Sequence, residues 1–247
     1  VTIIRRVYLY LVAFVSLLTL AGGLAGLGHT LLRAAVADPS RVVPAGEGLR
    51  GDVALYGALT LVGLLFWLPH WIAAGRLAAR EPAERAAALR RLYGYAVLAV
   101  MVLAGGIAAQ RLIDTALRWL IQATPRPTAE QLVDPLPALV VAAAFWLYHR
   151  RVILEDRRLV GERAAAATLR RWYVYTTALI TLLLLLSSAA YLLRAAWESA
   201  VAAIEETTVR TGAAGIAGRA ATALVALALW LLHWQRWAVA APPRGGG

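Results

Sequence analysis

The sequence predicts an all-α polytopic membrane protein, with six transmembrane helices laid out as three tandem two-helix repeats. Three observations carry that prediction: an apolar composition, six long stretches free of charge, and two short motifs that each recur three times at a common spacing. Of 247 residues, 61% are hydrophobic and 16% charged, where a soluble domain carries roughly 25% charged residues.

Residues 7–32, 53–75, 92–110, 135–149, 172–193 and 220–235 contain no Asp, Glu, Lys or Arg. Crossing a hydrocarbon core of ~30 Å takes about 20 mostly apolar residues, so the first, second, third and fifth stretches suffice unaided. The fourth borrows Leu132 and Val133 upstream and lets Arg150 and Arg151 snorkel at its far end. The sixth borrows the small residues 213–217, with Arg219 reaching back to the interface. "AAVAD", ending at Asp38, looks like a cleavage site after the first stretch. A signal-peptide core runs only about 7–15 apolar residues, so the segment is read as a retained helix.

The first motif, an Arg-Tyr hexapeptide, opens each unit: "RRVYLY" from Arg5, "RRLYGY" from Arg90 and "RRWYVY" from Arg170, spaced 85 and 80 residues apart. The second, a Trp-His motif, closes each unit: "WLPHW" from Trp67, "WLYHR" from Trp146 and "WLLHW" from Trp230, with His70, His149 and His233 spaced 79 and 84 apart. Two markers sharing one period define tandem units. The chain is therefore expected to be a single membrane domain over 1–247, with repeats at 1–80, 81–158 and 159–240 and a flexible tail at 241–247. Each unit crosses twice, so all three run the same way, and approximate threefold pseudosymmetry is expected. The connectors "ERAAALRR" from Glu84 and "ERAAAATLRR" from Glu162 also match, and both glutamates are expected to pair with neighbouring connector arginines. The far-side segments 37–52, 122–134 and 205–215 read as simple connections.

Arginine placement orients the chain. The side on which the units open and close holds 16 of the 25 arginines and 5 of the 14 acidic residues, a net +11, and the other side balances at zero. The positive-inside rule then puts both termini in the cytoplasm of a bacterial cell, with the protein in its inner membrane. This accounts for the basic balance without nucleic acid. No cysteine is present, which excludes disulfides and thiolate chemistry.

Residues of the two motifs form the expected lipid or partner interface: Arg5, Arg6, Tyr8, Tyr10, Arg90, Arg91, Tyr93, Tyr95, Arg170, Arg171, Tyr173 and Tyr175, with Trp67, Trp71, Trp146, Trp230 and Trp234. Arg90 and Tyr93, like Arg91 and Tyr95, are helical neighbours, so each guanidinium can lie along a tyrosine on the helix surface. Tyrosine and tryptophan favour that depth, and anionic inner-leaflet lipid is the expected contact, with a protein partner in a membrane complex as the other. His70, His149 and His233 are read as interfacial imidazoles bonded to a tyrosine, a carbonyl or a headgroup. The alternative is a three-imidazole metal site or a haem ligated by two of them. No carboxylate stands behind these histidines in sequence, so neither metal nor other cofactor is expected.

At the far ends a polar pair recurs, His29 and Arg33, Asp114 and Arg118, Arg194 and Glu198, each four residues apart. These are expected to cap the bundle, and Arg111 is the best candidate for a polar interior. Gly22 with Gly26, Gly105 and Ser187 mark expected packing faces. No phosphate loop, paired catalytic carboxylates or nucleophile-base set stands out, and no catalytic residue is expected.

The repeated Arg-Tyr and Trp-His motifs and the connector resemble a bacterial membrane family catalogued as domain of unknown function 5671. The likeness of pattern runs through the chain in three copies, the middle one departing with Tyr148 and Arg150. It implies a polytopic membrane domain and assigns no functional residues. The leading expectation is a non-enzymatic scaffold, sensor-like module or accessory subunit with a basic cytoplasmic face. The alternatives are a redox protein holding a metal or haem on the repeated histidines and a small-solute transporter or channel, which needs a hydrated polar path at the midplane.

Overall fold

A computed structural model of the chain describes residues 3–36, 45–123, 125–162, 164–205 and 212–235. Their regular elements are helices: α1 (Ile3–Val36), α2 (Ala45–Arg80), α3 (Pro82–Arg85), α4 (Ala88–Leu120), α5 (Ala129–Val133), α6 (Leu136–Val160), α7 (Ala164–Glu205) and α8 (Ala213–His233). Six helical segments are long and apolar enough to cross a membrane: Ile3–Val36, Gly48–Arg80, Pro82–Leu120, Ala129–Val160, Ala165–Glu205 and Ala213–His233. The 34 residues of α1 travel roughly 51 Å at 1.5 Å per residue. Such a helix outruns the hydrocarbon layer, leaving its ends for headgroup and water.

Local chemistry sets the breaks. Glu81 is extended and Pro82 follows at the first helical position, where its missing N–H is no loss, so α3 starts afresh instead of continuing α2. The end of α4 closes as a Schellman turn: Gln122 takes φ 53, and the Ala123 N–H donates to the Arg118 carbonyl at 2.9 Å. α6 ends at Gly161, whose φ of 69 suits glycine.

Two of the expected simple connections carry more helix than their composition announced. α2 already begins at Ala45, inside the segment 37–52. Segment 122–134 contains α5, started by a capping box. The Thr128 N–H donates to the Gln131 side chain at 3.1 Å, and the Gln131 N–H donates to the Thr128 hydroxyl at 3.3 Å. Residues 37–44, 124 and 206–211 of the three connections lie outside the described residues, as does the expected tail at 241–247.

The chain divides into two compact units, Val1–Gly105 with Val133–Arg170, and Gly106–Leu132 with Arg171–Gly247. The divisions fall inside α4, α5 and α7. In the first unit α1 lies along α2 at glycine contacts. A Cβ on Gly23 would meet the Thr60 backbone, one on Gly26 the Tyr56 ring, and one on Gly63 the Leu20 backbone. Gly22 faces open space, so the close-packing pair is Gly23 with Gly26 instead of the expected Gly22 with Gly26. The core of this unit gathers Tyr10, Ala13, Leu17, Trp71, Tyr93 and Val97, with Met101 and Ala142. In the second unit the buried side chains are mostly alanines, among them Ala178, Ala195, Ala217, Ala221 and Ala226, and Gly106 lies against Leu229. Small residues let helices pack closely where lipid offers no hydrophobic drive between them.

This packing sets an expected result. Gly63→Val places two extra methyls and a Cβ into the Leu20 backbone and should cost about 1–3 kcal/mol, read as a lowered thermal unfolding midpoint in detergent. Gly22→Ala, which meets nothing, should leave that midpoint unchanged or slightly raised.

Candidate functional site

At the end of the first unit where α1 and α4 begin and α6 ends, six charged side chains converge. Arg90 places its Nε 2.7 Å from Asp156 Oδ2 and its Nη2 3.4 Å from Oδ1, a bidentate pair. Arg85 Nη1 stands 3.8 Å from the same carboxylate and Arg91 Nη1 3.9 Å. Arg91 Nη1 also donates to the Ile153 carbonyl at 3.0 Å. Arg6 pairs with Glu84, bringing the first Arg-Tyr motif onto the first connector. Glu84, Arg90, Arg91 and Asp156 are all buried.

The middle Arg-Tyr motif is thus turned into the protein. Arg90, Arg91, Tyr93 and Tyr95 are buried, which removes them from the lipid or partner surface expected of all three copies. Gly94 is the physical reason. Its missing Cβ lets Ile153 approach to 2.9 Å of where that atom would stand, whereas the other copies carry Leu9 and Val174 at this position. Arg90 also lies over the Trp71 ring, 5.4 Å from its centroid, so its desolvated charge meets an aromatic face as well as a carboxylate. Glu84 reaches back to Arg6 instead of a neighbour in its own connector. Glu162 does stay local, with Arg170 Nε at 3.1 Å and Arg157 Nε at 3.5 Å.

The three histidines share one local arrangement. Nδ1 lies 2.7 Å from the Phe66 carbonyl in His70, 2.9 Å from Phe145 in His149 and 2.7 Å from Leu229 in His233. A carbonyl only accepts, so Nδ1 carries the proton and Nε2 is left as an acceptor. The first tyrosine of each Arg-Tyr motif faces that side. The Tyr93 hydroxyl stands 3.1 Å from His149 Nε2 and the Tyr173 hydroxyl 2.9 Å from His233 Nε2. Tyr8 meets His70 by ring contact, centroids 5.8 Å apart. Trp67 Nε1 donates to the Tyr93 hydroxyl at 3.3 Å, giving a relay of Trp67 to Tyr93 to His149. Trp71 Nε1 donates to the Tyr148 hydroxyl, so the residue by which the middle Trp-His motif departs from the others has a specific partner. A metal or haem iron on Nε2 of His149 or His233 would have to displace a tyrosine. Among the described residues no three His, Asp or Glu side chains are grouped to hold a metal ion.

The far-end pairs form where helical spacing put them. Arg118 Nε is 2.9 Å from Asp114 Oδ1, and Arg194 Nε is 3.4 Å from Glu198 Oε1. His29 and Arg33 both face Asp134, at 3.3 and 3.6 Å, a partner that lies in another span and that no spacing within α1 could reveal. Arg111 is exposed, so it is no polar interior residue.

Of the remaining expected interface residues, Arg5, Tyr8, Arg171, Tyr175 and Trp234 are exposed, together with Trp172, Arg76, Arg80, Arg151 and Arg158. Tyr10, Tyr173 and Trp71 are buried, while Arg6, Trp67, Trp146, Arg170 and Trp230 are half-buried. Sequence reasoning missed Glu84 and Asp156 as buried counter-charges. Gly94, the one small residue inside an Arg-Tyr motif, was the available signal.

Long apolar helices closed by interfacial aromatics and arginines define a multi-pass α-helical membrane protein. The chain belongs to the family described as a domain of unknown function (DUF5671), which matches residues 6–144. That stretch takes in Arg6, Glu84, Arg85, Arg90 and Arg91 and stops short of His149 and Asp156. No curated protein and no solved structure matches the chain.

Proposed function

We propose that the chain is a non-enzymatic scaffold or accessory module of the bacterial inner membrane, made of three tandem hairpins, with both termini cytoplasmic and an exposed basic face that binds anionic lipid. The observation that carries this reading is the sorting of the arginines. In the first unit Arg5, Arg76, Arg80, Arg151 and Arg158 are exposed at the end where α1 begins and α2 and α6 finish. In the second unit Arg171 is exposed beside Trp172 and Tyr175. Guanidiniums next to interfacial aromatics at helix ends match a headgroup layer carrying negative charge, worth about 1 kcal/mol per basic residue near the surface. The recurring bond from histidine Nδ1 to the carbonyl one turn back, with a tyrosine of the Arg-Tyr motif on the other side, supports a common hairpin plan.

Two measurements test it. Reporter fusions should place the C-terminus in the cytoplasm and residue 126 outside. Purified protein should retain phosphatidylglycerol over phosphatidylcholine. Exchanging Arg76, Arg80, Arg151 and Arg158 for Gln should cut that preference several-fold and make it less sensitive to salt. Equal retention of both lipids by the unaltered protein would remove the lipid reading.

A further inference from the structure

We propose that the exposed face of α7 is a self-association surface, on which a second copy of this chain lays its own α7 in parallel across a twofold axis along the membrane normal.

The buried side of α7 sets the register. In the second unit Val174, Thr181, Ser188, Ala195 and Ala202 are buried and follow one another at intervals of seven residues. A seven-residue repeat keeps one line of the helix turned inward along its length, and so keeps a matching line turned outward. That outer line carries Leu179, Leu183, Leu186, Leu193, Trp197 and Ile204, with the exposed Ala190 and Ala200 completing alternate steps of four and three. This is the spacing by which two parallel helices interlock side chains. The large side chains of the line are each more than half exposed and together offer on the order of 700 Å² of apolar surface, near the ~800 Å² that one partner gives a standard interface.

Lipid alone does not cover this line. Trp172 and Trp197, both exposed, stand 25 residues apart, roughly 38 Å along the helix. Tryptophans at that separation mark the two faces of a ~30 Å hydrocarbon layer. Ile204 lies seven residues past Trp197 and is 82% exposed, roughly 10 Å further out. The ion pair of Arg194 with Glu198 stands on the same stretch, which puts it among headgroups and water. An apolar line that continues there calls for protein as its cover.

Charge selects the second copy. A twofold axis sets each residue of one line beside its own counterpart, so any charge on the line would meet its like. None occurs from Leu179 to Ile204; the two charges in that range, Arg194 and Glu198, sit off the line and neutralise one another. Ala189, Ala196 and Ala203 flank the line and leave room for close approach. α2 also exposes a long apolar face but fails this condition, because the register of Val62, Leu65 and Ile72 runs on to Arg76.

The chain has no cysteine, so single cysteines report contacts without background. Full-length protein is oxidised in membranes with copper phenanthroline and separated without reductant. Leu186→Cys, Leu193→Cys and Ala200→Cys should form a disulfide-linked dimer, with at least about fivefold less from Leu184→Cys, which is exposed on the same helix but off the line. Ala200→Arg sets guanidinium against guanidinium and should weaken dimerisation at least about tenfold, read as the dimer fraction in non-ionic detergent by native mass spectrometry. If Ala200→Arg fails to fold, the cysteine series decides. Cross-linking as strong at Leu184→Cys as on the line, no cross-linked dimer, or an Ala200→Arg dimer as tight as the original overturns the proposal. None of these readouts depends on the lipid preference of the basic face.

Discussion

Asp156→Ala should be among the most destabilising single changes in the first unit, lowering stability by about 3–5 kcal/mol. The carboxylate is the bidentate partner of Arg90 and the nearest acid to Arg85 and Arg91. Its removal strands two guanidiniums that are almost wholly enclosed. That loss is a large share of the ~5–15 kcal/mol that holds a typical domain folded, so the midpoint of thermal or denaturant unfolding in detergent should fall steeply. Glu84→Ala should cost less, because its partner Arg6 keeps 27% of its side chain exposed and can be solvated by water or headgroups. Replacing both ends of the pair, Arg90→Met with Asp156→Leu, should recover much of the deficit, since an apolar pair of similar volume removes the desolvation cost along with the attraction. An Asp156→Ala protein that unfolds with the original would mean that the four guanidiniums are hydrated in solution.

These expectations rest on contacts that the sequence declared unevenly. Span number and helix type were legible because length and charge-free composition are properties of single segments, and the six long helices require no knowledge of neighbours to be written down. Polar pairs inside one helix were legible for the same reason: Asp114 with Arg118 and Arg194 with Glu198 need only helical spacing. Pairs across helices were not. Arg6 with Glu84 are 78 residues apart and Arg90 with Asp156 are 66 apart, and nothing in a periodic pattern selects one carboxylate over another.

The Arg-Tyr motifs show the same limit in a sharper form. Three near-identical hexapeptides invite one role, yet a single side chain's absence at Gly94 lets α6 approach and buries the arginines of the middle copy. With Arg5 and Arg171 of the outer copies, the exposed arginines include several outside the repeated motif, Arg76, Arg80, Arg151 and Arg158. These arginines contribute to the charge asymmetry as much as the repeated ones do, and only the packing tells which of them face outward.

The tyrosine-histidine contacts give a graded series in which one chemical change should have three sizes of effect. Tyr93→Phe removes an acceptor from Trp67 Nε1 and a donor from His149 Nε2 at once. Each group then left unpaired in a buried setting costs about 1–3 kcal/mol, so a combined loss of about 2–4 kcal/mol is expected if some of it is recovered by relaxation. Tyr173→Phe removes the donor to Nε2 of the fully buried His233, and should cost about 1–3 kcal/mol. Tyr8 meets His70 through ring packing and is 60% exposed, so Tyr8→Phe should change stability by no more than about 0.5 kcal/mol. The three variants differ from the parent by one oxygen each, which keeps volume and ring contacts fixed while hydrogen bonding varies. Unfolding midpoints in the order Tyr8→Phe above Tyr173→Phe above Tyr93→Phe would tie stability to the occupied Nε2 atoms. Three equal shifts would instead make the hydroxyls incidental and leave ring packing as the whole of the interaction.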